Sequence, residues 1–374
     1  MSAGGGSVAA TDPLARQERG SGGAHKSGHP AKLARLGGVA LALAALAVFP
    51  LVFTNPAVTT IAIFALLFMA SAAAWNGFSG FSGYIALGHA AFFGTGAYTL
   101  AIVAQRLNLS AGISLFALVP LGGAAAVVVA IPIGLIALRT RRHTFVVITI
   151  AIFFIFQLLA YNLAITEGSS GIQVPTPNWD STTFNNPFYY VAFGLVVFAT
   201  AVAWLIRRSA FGLQLFAIRD DEERARGLGV AVARVKLSAF VISALSVGMA
   251  GAVYAYFLGQ VFPQFAFNPL FDLSLALMSL FGGLGTLGGP LLGALVLESL
   301  QQYFALQFSN ANVYLIVYGV LFLIVVIWLP RGVIPTSVGW IRAWRVGLAR
   351  RDADRQGPSA TERDRVELTQ QVGE

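Results

Sequence analysis

Long apolar runs alternate with short polar connections along most of this chain. A run of about 17–25 mostly apolar residues is long enough to cross a bilayer as a helix. The pattern predicts an all-α, polytopic integral membrane protein with about ten transmembrane helices, of which the eighth is short and interrupted by glycine. The predicted spans are Leu36–Phe53, Ala57–Trp75, Ile85–Ala104, Ile113–Leu138, Thr144–Tyr161, Phe188–Ile206, Leu237–Leu258, Leu273–Gly285, Leu291–Phe308 and Val313–Leu329.

The basic residues between the spans predict how the chain is oriented. Three arginines lie in the run 139–142, and the tail from Arg331 onward is also rich in arginine. The connections Asn162–Pro187 and Gly259–Phe271 contain neither Lys nor Arg. Because cationic loops stay in the cytoplasm, an even number of spans with both termini cytoplasmic fits this distribution. We therefore expect a polar cytoplasmic tail at 1–35, a membrane domain at 36–339 and a second cytoplasmic tail at 340–374.

One connection, Arg207–Lys236, is a polar island between two apolar runs, with seven Lys or Arg and four Asp or Glu residues. Its charge pattern predicts a short amphipathic helix on the cytoplasmic side. Residues 220–223 are all acidic and would occupy the first turn, where the helix dipole favours negative charge. Acid-before-base pairs four residues apart would support the helix, and glycines would end it. The predicted pairs and stops are Asp220 with Arg224, Glu222 with Arg226, and Gly227 and Gly229.

The apolar residues of this island are predicted contacts for a partner protein: Leu215, Phe216, Ile218, Leu228 and Val230. The alternative is a solvated loop without a function, because charged cytoplasmic loops are the rule in membrane proteins.

Two apolar stretches are interrupted by glycine, one at Asn76–Gly96 and the other at Phe281–Gly293. Paired glycine-broken segments in two halves of a chain indicate a transport pathway built from discontinuous helices. Small residues also let helix backbones approach closely in lipid. Both interpretations stay open at this point.

Few ionisable residues fall at membrane depth, where they are functional candidates by default. For His89, a packing role with a hydrogen bond inside the bundle is favoured over substrate contact. Asp272 is expected at the membrane interface, next to water. Glu298 lies within the ninth span, and Gln301 follows on the same helix face, so the two are predicted to share a buried polar network or a water-filled cavity.

Composition and missing motifs exclude several classes of protein. The chain of 374 residues is 57% hydrophobic and only 11% charged, whereas soluble domains are about a quarter charged. It has no cysteine, no GxxxxGK[ST] phosphate loop and no metal-ligand or nucleophile motif. We therefore expect neither an enzyme nor a bound cofactor or metal. We also expect no nucleic-acid partner, since the net charge of +8 lies in tails and in loops of one side, as membrane orientation requires.

Three sequence segments in the same order resemble one family. They are GYIALGHAAFFGTGAY, AIRDDEERARGLGVAVARVKLSAF and GGLGTLGGPLLGA, with a weaker fourth segment at EGSSGI (167–172). They are similar to the branched-chain amino acid permeases of ABC importers (the LivH/LivM family), whose cytoplasmic loop has an acidic residue six positions before a glycine, as Glu223 precedes Gly229. Arg224 and Arg226 depart from the small or acidic residues more common there.

The resemblance implies a bacterial plasma-membrane importer. Its partners would be a second homologous permease, two cytoplasmic ATPases that hydrolyse the ATP, and an external substrate-binding protein. The implied ATPase-coupling residues are Asp220, Asp221, Glu222, Glu223, Arg224, Arg226 and Gly229. The translocation-pathway candidates are Gly83, Gly88, His89, Gly94, Gly282, Gly283, Gly285 and Gly289, which lie in the matching segments, and Glu298, which is a candidate as an acid at membrane depth.

Two alternatives stay open. Related permeases carry urea, short amides or other amino acids, and the residues do not distinguish these cargoes. A proton- or sodium-coupled secondary transporter working alone is the other alternative, and it would require an intramembrane acid such as Glu298.

Overall fold

The computed structural model describes residues 44–180, 183–307 and 332–337, together with the single positions 316, 319, 320, 323 and 327. Two units are distinguished along the chain, with the boundary after Val52. Of the first unit, residues 44–52 are described and are helical. The predicted tails 1–35 and 340–374 lie outside the described residues, as does most of the predicted span Val313–Leu329.

The second unit is a helical bundle. Its α-helices, in chain order among the described residues, are α1 (Pro56–Trp75), α2 (His89–Arg106), α3 (Val119–Ala137), α4 (Arg142–Asn162), α5 (Asn185–Arg208), α6 (Ala210–Asp220), α7 (Glu222–Gly227), α8 (Val232–Leu258), α9 (Pro263–Ala266), α10 (Pro269–Gly282) and α11 (Gly289–Gln307). A π-helical turn, Asn76–Gly80, continues α1, and 3₁₀ turns lie at Ile113–Leu118, Ala164–Thr166 and Gly168–Ser170.

Six helical stretches of the described chain are long and apolar enough to cross a membrane: Pro56–Gly80, Ile113–Ala137, Arg142–Asn162, Asn185–Arg208, Val232–Leu258 and Pro263–Gly282. The predicted spans Ile85–Ala104 and Leu291–Phe308 correspond to α2 and α11, which are helical but not among these six. The all-α, multi-span prediction is confirmed, and a total of ten spans is compatible with these helices.

Three predicted span boundaries are wrong. The third span begins at His89 instead of Ile85, because the chain between Gly83 and Gly88 is not helical. The seventh begins at Val232, inside the region predicted to be a polar loop. The eighth runs from Pro269 to Gly282, because Pro269 at the first helical position and the Asn268 side chain, accepting from the Leu270 amide (2.9 Å), start it earlier.

Helix α8 lies at the centre of this unit and packs against α2, α3 and α1. Its backbone approaches α2 so closely that a Cβ at Gly96 would overlap the Gly248 carbonyl. Nearer the start of α8, Phe240 packs edge-on against Phe78 (5.1 Å between ring centroids) and Phe92 (5.2 Å). Small residues at the crossing and aromatic rings beside it are a packing typical of membrane bundles.

A two-stranded antiparallel pair joins the two connections that contain neither Lys nor Arg. Strand β1 (Ile172–Gln173) pairs with β2 (Gln260–Val261), with Ile172 opposite Val261. The all-α pattern did not predict these short strands. They hold together two loops that are about ninety residues apart in the sequence.

Candidate functional site

The segment 207–236, called the coupling segment from here on, contains two helices instead of the one predicted. Ser209 caps α6 by accepting from the Gly212 amide (3.3 Å). Asp221 then adopts an extended conformation that ends α6, and its carboxylate accepts from the amides of Glu223 (3.0 Å) and Arg224 (3.1 Å). Asp221 therefore caps α7, because a short acidic side chain satisfies the free amides of a first turn. The acidic run is divided: Asp220 ends α6, and Glu222 and Glu223 begin α7.

One of the two predicted ion pairs is wrong. Arg224 pairs with Asp221 (3.0 Å), not with Asp220, because the break between the helices removes the four-residue spacing. Glu222 and Arg226 form the predicted pair (3.3 Å). The predicted stop is confirmed, since α7 ends at Gly227 and Gly229 has a φ of +85°, a conformation that glycine adopts without a steric penalty.

Most of the apolar residues predicted to face a partner protein pack inside the chain. Leu215 and Ile218 are fully buried, and the ring of Phe216 lies against Phe81 (5.2 Å between centroids). The prediction is wrong for Leu215 and Ile218, because one face of α6 packs onto the bundle. Leu228, just after α7, is 85% exposed.

A buried charge cluster attaches α7 to the bundle. The Lys236 ammonium on α8 donates to Glu222 (3.0 Å) and to the Tyr84 hydroxyl (3.0 Å), and that hydroxyl in turn donates to Glu222. Burial by itself would raise the pKa of Glu222, but the hydrogen bonds from Tyr84 and Lys236 outweigh it and hold the pKa below its usual value. Burial and the neighbouring carboxylate raise the pKa of Tyr84. Glu222 is therefore an internal contact, held as a carboxylate at neutral pH.

Three arginines connect α6 and the end of α5 to their surroundings. Arg219 donates to the carbonyl of Gly80 (2.7 Å), and Arg207 donates to the carbonyl of Gly285 (3.2 Å). Arg142, at the start of α4, donates to the carbonyls of Ile218 (2.8 Å) and Arg219 (2.7 Å) at the end of α6. Guanidinium groups suit this role because each presents several donors in a fixed plane.

Two of those carbonyls belong to the glycine-broken segments, called here the first glycine segment (76–96) and the second glycine segment (281–293). The segments also bond to each other through Asn76. Its amide nitrogen donates to the Thr286 carbonyl (2.9 Å), and its oxygen accepts from the Gly285 amide (2.7 Å). The coupling segment is thus bonded to both glycine segments at the place where they meet.

The predicted pathway glycines serve close contacts and tight turns. Gly83, Gly283 and Gly285 have positive φ angles. At the remaining glycines an added Cβ would overlap a neighbour: Thr149 at Gly88, the Phe267 ring at Gly94, and each other's backbone at Gly282 and Gly289. Close packing and tight turns therefore explain why glycine occupies these positions.

His89 is the first residue of α2, within the first glycine segment, and is fully buried. Its Nε2 lies 2.9 Å from the Ser243 hydroxyl of α8, as the favoured packing interpretation expects. Asp272 of α10 is 2% exposed and accepts from the His89 amide (2.8 Å) and the Ala90 amide. The prediction of an interfacial Asp272 is wrong, because its carboxylate caps the start of α2 inside the protein.

Glu298 on α11 is fully buried, as its position in a span predicted. Its Oε1 accepts from Gln302 (2.8 Å), while Oε2 has no hydrogen-bond partner among the described residues. Gln301 makes no direct bond to this carboxylate: its side-chain oxygen is buried without a hydrogen-bond partner among the described residues, and Gln302, one position further, supplies the bond.

The EGSSGI segment follows one 3₁₀ turn (Ala164–Thr166) and contains a second (Gly168–Ser170). Glu167 has a positive φ of 55° and accepts from Gln105 (2.7 Å) at the end of α2. Within the described residues, no group of three His, Asp or Glu side chains could hold a metal ion.

Six residues of this site were not identified as functional from the sequence: Asn76, Tyr84, Arg142, Arg207, Arg219 and Lys236. A signal was present for Asn76, a lone amide in an apolar run immediately before glycine. The arginines were interpreted only as orientation signals, and their carbonyl partners are 76 to 139 positions away in sequence. Pattern analysis cannot pair residues at such distances.

A bundle of apolar helices, two glycine segments in contact and a charged helical segment bonded to both define a multi-span membrane protein of permease type. The model of the family "branched-chain amino acid transport system / permease component" matches residues 57–326. The chain therefore belongs to this permease family, and the family predicted from the sequence is confirmed. No solved structure matches the chain.

Among its relatives is the high-affinity branched-chain amino acid transport system permease protein LivM of Escherichia coli (strain K12). It is 31% identical over 289 residues, which cover 69% of this chain and 65% of LivM. The LivM protein of Salmonella typhimurium matches equally. The autoinducer 2 import system permease protein LsrC of Klebsiella pneumoniae is 36% identical over 119 residues, 30% of this chain and 35% of that protein. The chain thus matches just under two thirds of the LivM proteins' length.

Proposed function

We propose that this chain is a transmembrane subunit of an ATP-binding-cassette importer, that it forms part of the translocation pathway, and that its cargo is branched-chain amino acids. Membership of the permease family supports the transport role. The observation that carries the coupling role is the set of hydrogen bonds from α6 and the end of α5 to both glycine segments.

The mechanism we propose is mechanical. In it, the coupling segment lies on the cytoplasmic side, both termini face the cytoplasm, and separate ATPases press on α6 and α7. Arg219 would transmit that movement to Gly80, and Arg207 would transmit it to Gly285. Since α2 starts within the first glycine segment and α11 starts within the second, both helices would shift together. This shift would open the pathway alternately to the two sides.

The ATPase would be a separate polypeptide, because this chain has no phosphate-loop motif. A full importer in this proposal contains two ATPases, a second homologous permease and an external binding protein. Leu228 and the exposed charges Glu223 and Arg224 are the surface that we assign to the ATPase. The paired loops around β1 and β2, with Glu167, would face the binding protein.

The cargo assignment rests on the LivM relatives, whose names specify branched-chain amino acids. Hydrophobic side chains could pass a pathway lined by small and aromatic residues without charged ligands. The LsrC relatives are named for autoinducer 2 import, so members of the family differ in cargo. Urea and short amides stay as alternative cargoes of the same type of subunit.

The test is purification of the tagged protein in mild detergent, identification of what co-purifies, and uptake by liposomes containing the recovered complex. We expect two phosphate-loop ATPases and a second permease, and ATP-dependent uptake of leucine that excess isoleucine or valine inhibits and urea does not. Arg219→Ala should uncouple ATP hydrolysis from uptake, with Arg234→Ala, an exposed arginine of the same segment, as control. Uptake of leucine by this chain alone, without ATP, would overturn the proposal.

One observation favours a second candidate, an ion-coupled transporter that works alone. Glu298 is fully buried, and one of its carboxylate oxygens has no partner among the described residues. A proton-coupled mechanism would use such a group. Uptake that follows a proton gradient and is abolished by Glu298→Gln would support this candidate, whereas unchanged uptake in that variant would eliminate it.

A further inference from the structure

A cleft of about 840 Å³ opens beside the coupling segment. The end of α3, the connection 138–141, the start of α4, helix α7 and the start of α8 surround it. Glu223 at its rim is assigned to the ATPase, but the proposed transport mechanism places no ligand inside this cleft. It lies where the span Ile113–Ala137 ends and where the spans Arg142–Asn162 and Val232–Leu258 begin, which places it at the level of lipid headgroups on that side of the membrane.

The cleft has more cations than carboxylates. Five cationic residues line it, against two carboxylates, Glu222 and Glu223. Glu222 already binds Arg226 and Lys236, and Arg142 donates to the carbonyls at the end of α6. Two arginines of the connection are left over, at positions 139 and 141.

Arg139 and Arg141 have no ion pair within the described part of the chain, and both are exposed. Arg141 is also the residue that precedes α4, and no side chain caps that helix end. The amides of its first turn therefore still need acceptors, and the helix dipole adds to the attraction of a negative group there. Guanidinium groups bind phosphate oxygens in pairs, which is a stronger and more directional contact than an ammonium offers.

One wall of the cleft is apolar and leads toward the lipid. Leu135, Leu138 and Leu237 line it. On the outer surface of α3, Leu135 is 48% exposed and Ile136 is 66% exposed. Long hydrocarbon chains could lie along these side chains while a headgroup reaches the arginines. Basic pockets between spans at this level suit the headgroups of anionic lipids.

We propose that this cleft binds the phosphate of an anionic phospholipid. Arg139 and Arg141 contact the phosphate oxygens, and the acyl chains lie against Leu135 and Ile136. The bound lipid lies between the connection 138–141 and helix α7, so it holds the coupling segment against the bundle. An acidic segment of an ATPase is the competing occupant, but the apolar wall and the exposed side chains of α3 favour a lipid.

The experiment measures lipid binding to the purified full-length chain by native mass spectrometry, with titration of phosphatidylglycerol. Phosphatidylcholine with the same acyl chains tests the need for negative charge, and glycerol 3-phosphate and inorganic phosphate test the need for the chains. We expect phosphatidylglycerol to bind and the other three probes to bind much more weakly. In R139Q/R141Q the affinity for phosphatidylglycerol should fall roughly thirtyfold, as expected for the loss of two arginines near the surface.

The matched control is R106Q/R234Q, which removes the same charge from two exposed arginines that do not line the cleft. It should bind phosphatidylglycerol like the unaltered protein, and circular dichroism should show all variants equally helical. An equal loss of affinity in both double variants would overturn the proposal, as would equally tight binding of phosphatidylcholine. Tight binding of free phosphate would also overturn it, because the ligand of the cleft would then be a soluble anion and not a lipid. Unchanged lipid binding in R139Q/R141Q, with lost ATPase co-purification, would assign the cleft to the ATPase.

Discussion

Helices α6 and α7 are neighbours in the coupling segment, yet they are attached to the protein in different ways. Helix α6 is anchored along its length: Leu215 and Ile218 are fully buried, and Arg142 and Arg219 bond its end to α4 and to the first glycine segment. Helix α7 is anchored through the Glu222 cluster and Ala225, while Glu223, Arg224 and Arg226 are exposed.

The difference separates two tasks that the sequence pattern had assigned to one helix. The charge-rich helix offers an exposed surface to a partner, because few of its side chains are committed to internal contacts. In the proposed mechanism the less charged helix would transmit movement, because its contacts are buried and Arg219 bonds it to the first glycine segment. High charge density then indicates the exposed part of such a segment, whereas burial and bonds to carbonyls indicate the part that is attached to the bundle.

The largest difference between the two helices should come from truncating one leucine in each region. Leu215→Ala removes a fully buried side chain of α6 and should lower the free energy of unfolding by about 3 kcal/mol. Leu228→Ala, at a side chain that is 85% exposed, should leave stability unchanged and weaken ATPase co-purification. Thermal unfolding in detergent measures the first effect. Similar stability losses in both variants would remove the distinction between the helices.

The second expected effect concerns the bond from α6 to the first glycine segment. Arg219→Ala deletes a charged donor to the Gly80 carbonyl and should cost about 2 kcal/mol of stability, in addition to its effect on coupling. Arg224→Ala is the control on α7, since its pair with Asp221 is exposed to water and should cost less than about 0.5 kcal/mol. Equal unfolding temperatures for the two variants would contradict the assigned roles.

A third effect should appear in the pH dependence of stability. Because the pKa of Glu222 is lowered in the folded protein, its contribution is fully present above the ordinary carboxyl pKa of 4.5 and is lost as the pH falls through the folded-state pKa. Glu222→Gln should cost about 1–2 kcal/mol at pH 7 and flatten the acid side of the stability curve. Glu223→Gln, at an exposed side chain of the same helix, is the control and should cost less than about 0.5 kcal/mol at pH 7. Chemical unfolding between pH 3 and pH 8 provides the comparison.

The smallest effect distinguishes two glycines at the end of α7. Gly229 has a φ of +85°, so Gly229→Ala should cost about 1 kcal/mol through backbone strain, although the space around it is open. Gly227 lies in the helix with equally open space, so Gly227→Ala should be neutral or stabilising by up to about 1 kcal/mol. The same sign of effect in both variants would contradict the assigned conformations.

Much of the fold could be predicted because transmembrane helices form locally. An apolar run of sufficient length must be helical in a bilayer, where each backbone group needs a partner within its own segment. The helices around Pro56–Trp75, Asn185–Arg208 and Val232–Leu258 were recognised in this way, with errors of up to five residues at their ends. The errors arose at caps and glycines, as at His89, where backbone conformation depends on a few side chains.

The site could be predicted only in part. The short-range features of the coupling segment, such as the Glu222–Arg226 pair and the stop at Gly227, follow from helical spacing and were recognised. The break at Asp221 was missed, because a cap and a continuing helix use similar residues. The buried apolar face of α6 was also wrongly assigned to a partner protein. The sequence pattern does not distinguish an apolar side chain that contacts a partner from one that packs in the protein's own core.

The sequence by itself determined the class of fold, the family, the position of the coupling segment and the two glycine segments. These depend on composition and on contacts between residues close in the chain. Only the tertiary structure decided that Asn76 joins the glycine segments, that Asp272 caps α2, and that Glu222 binds Lys236 and Tyr84. Such bonds depend on where the packed helices bring distant polar groups together, because a buried polar group is stable wherever it finds a partner, whatever the separation in sequence.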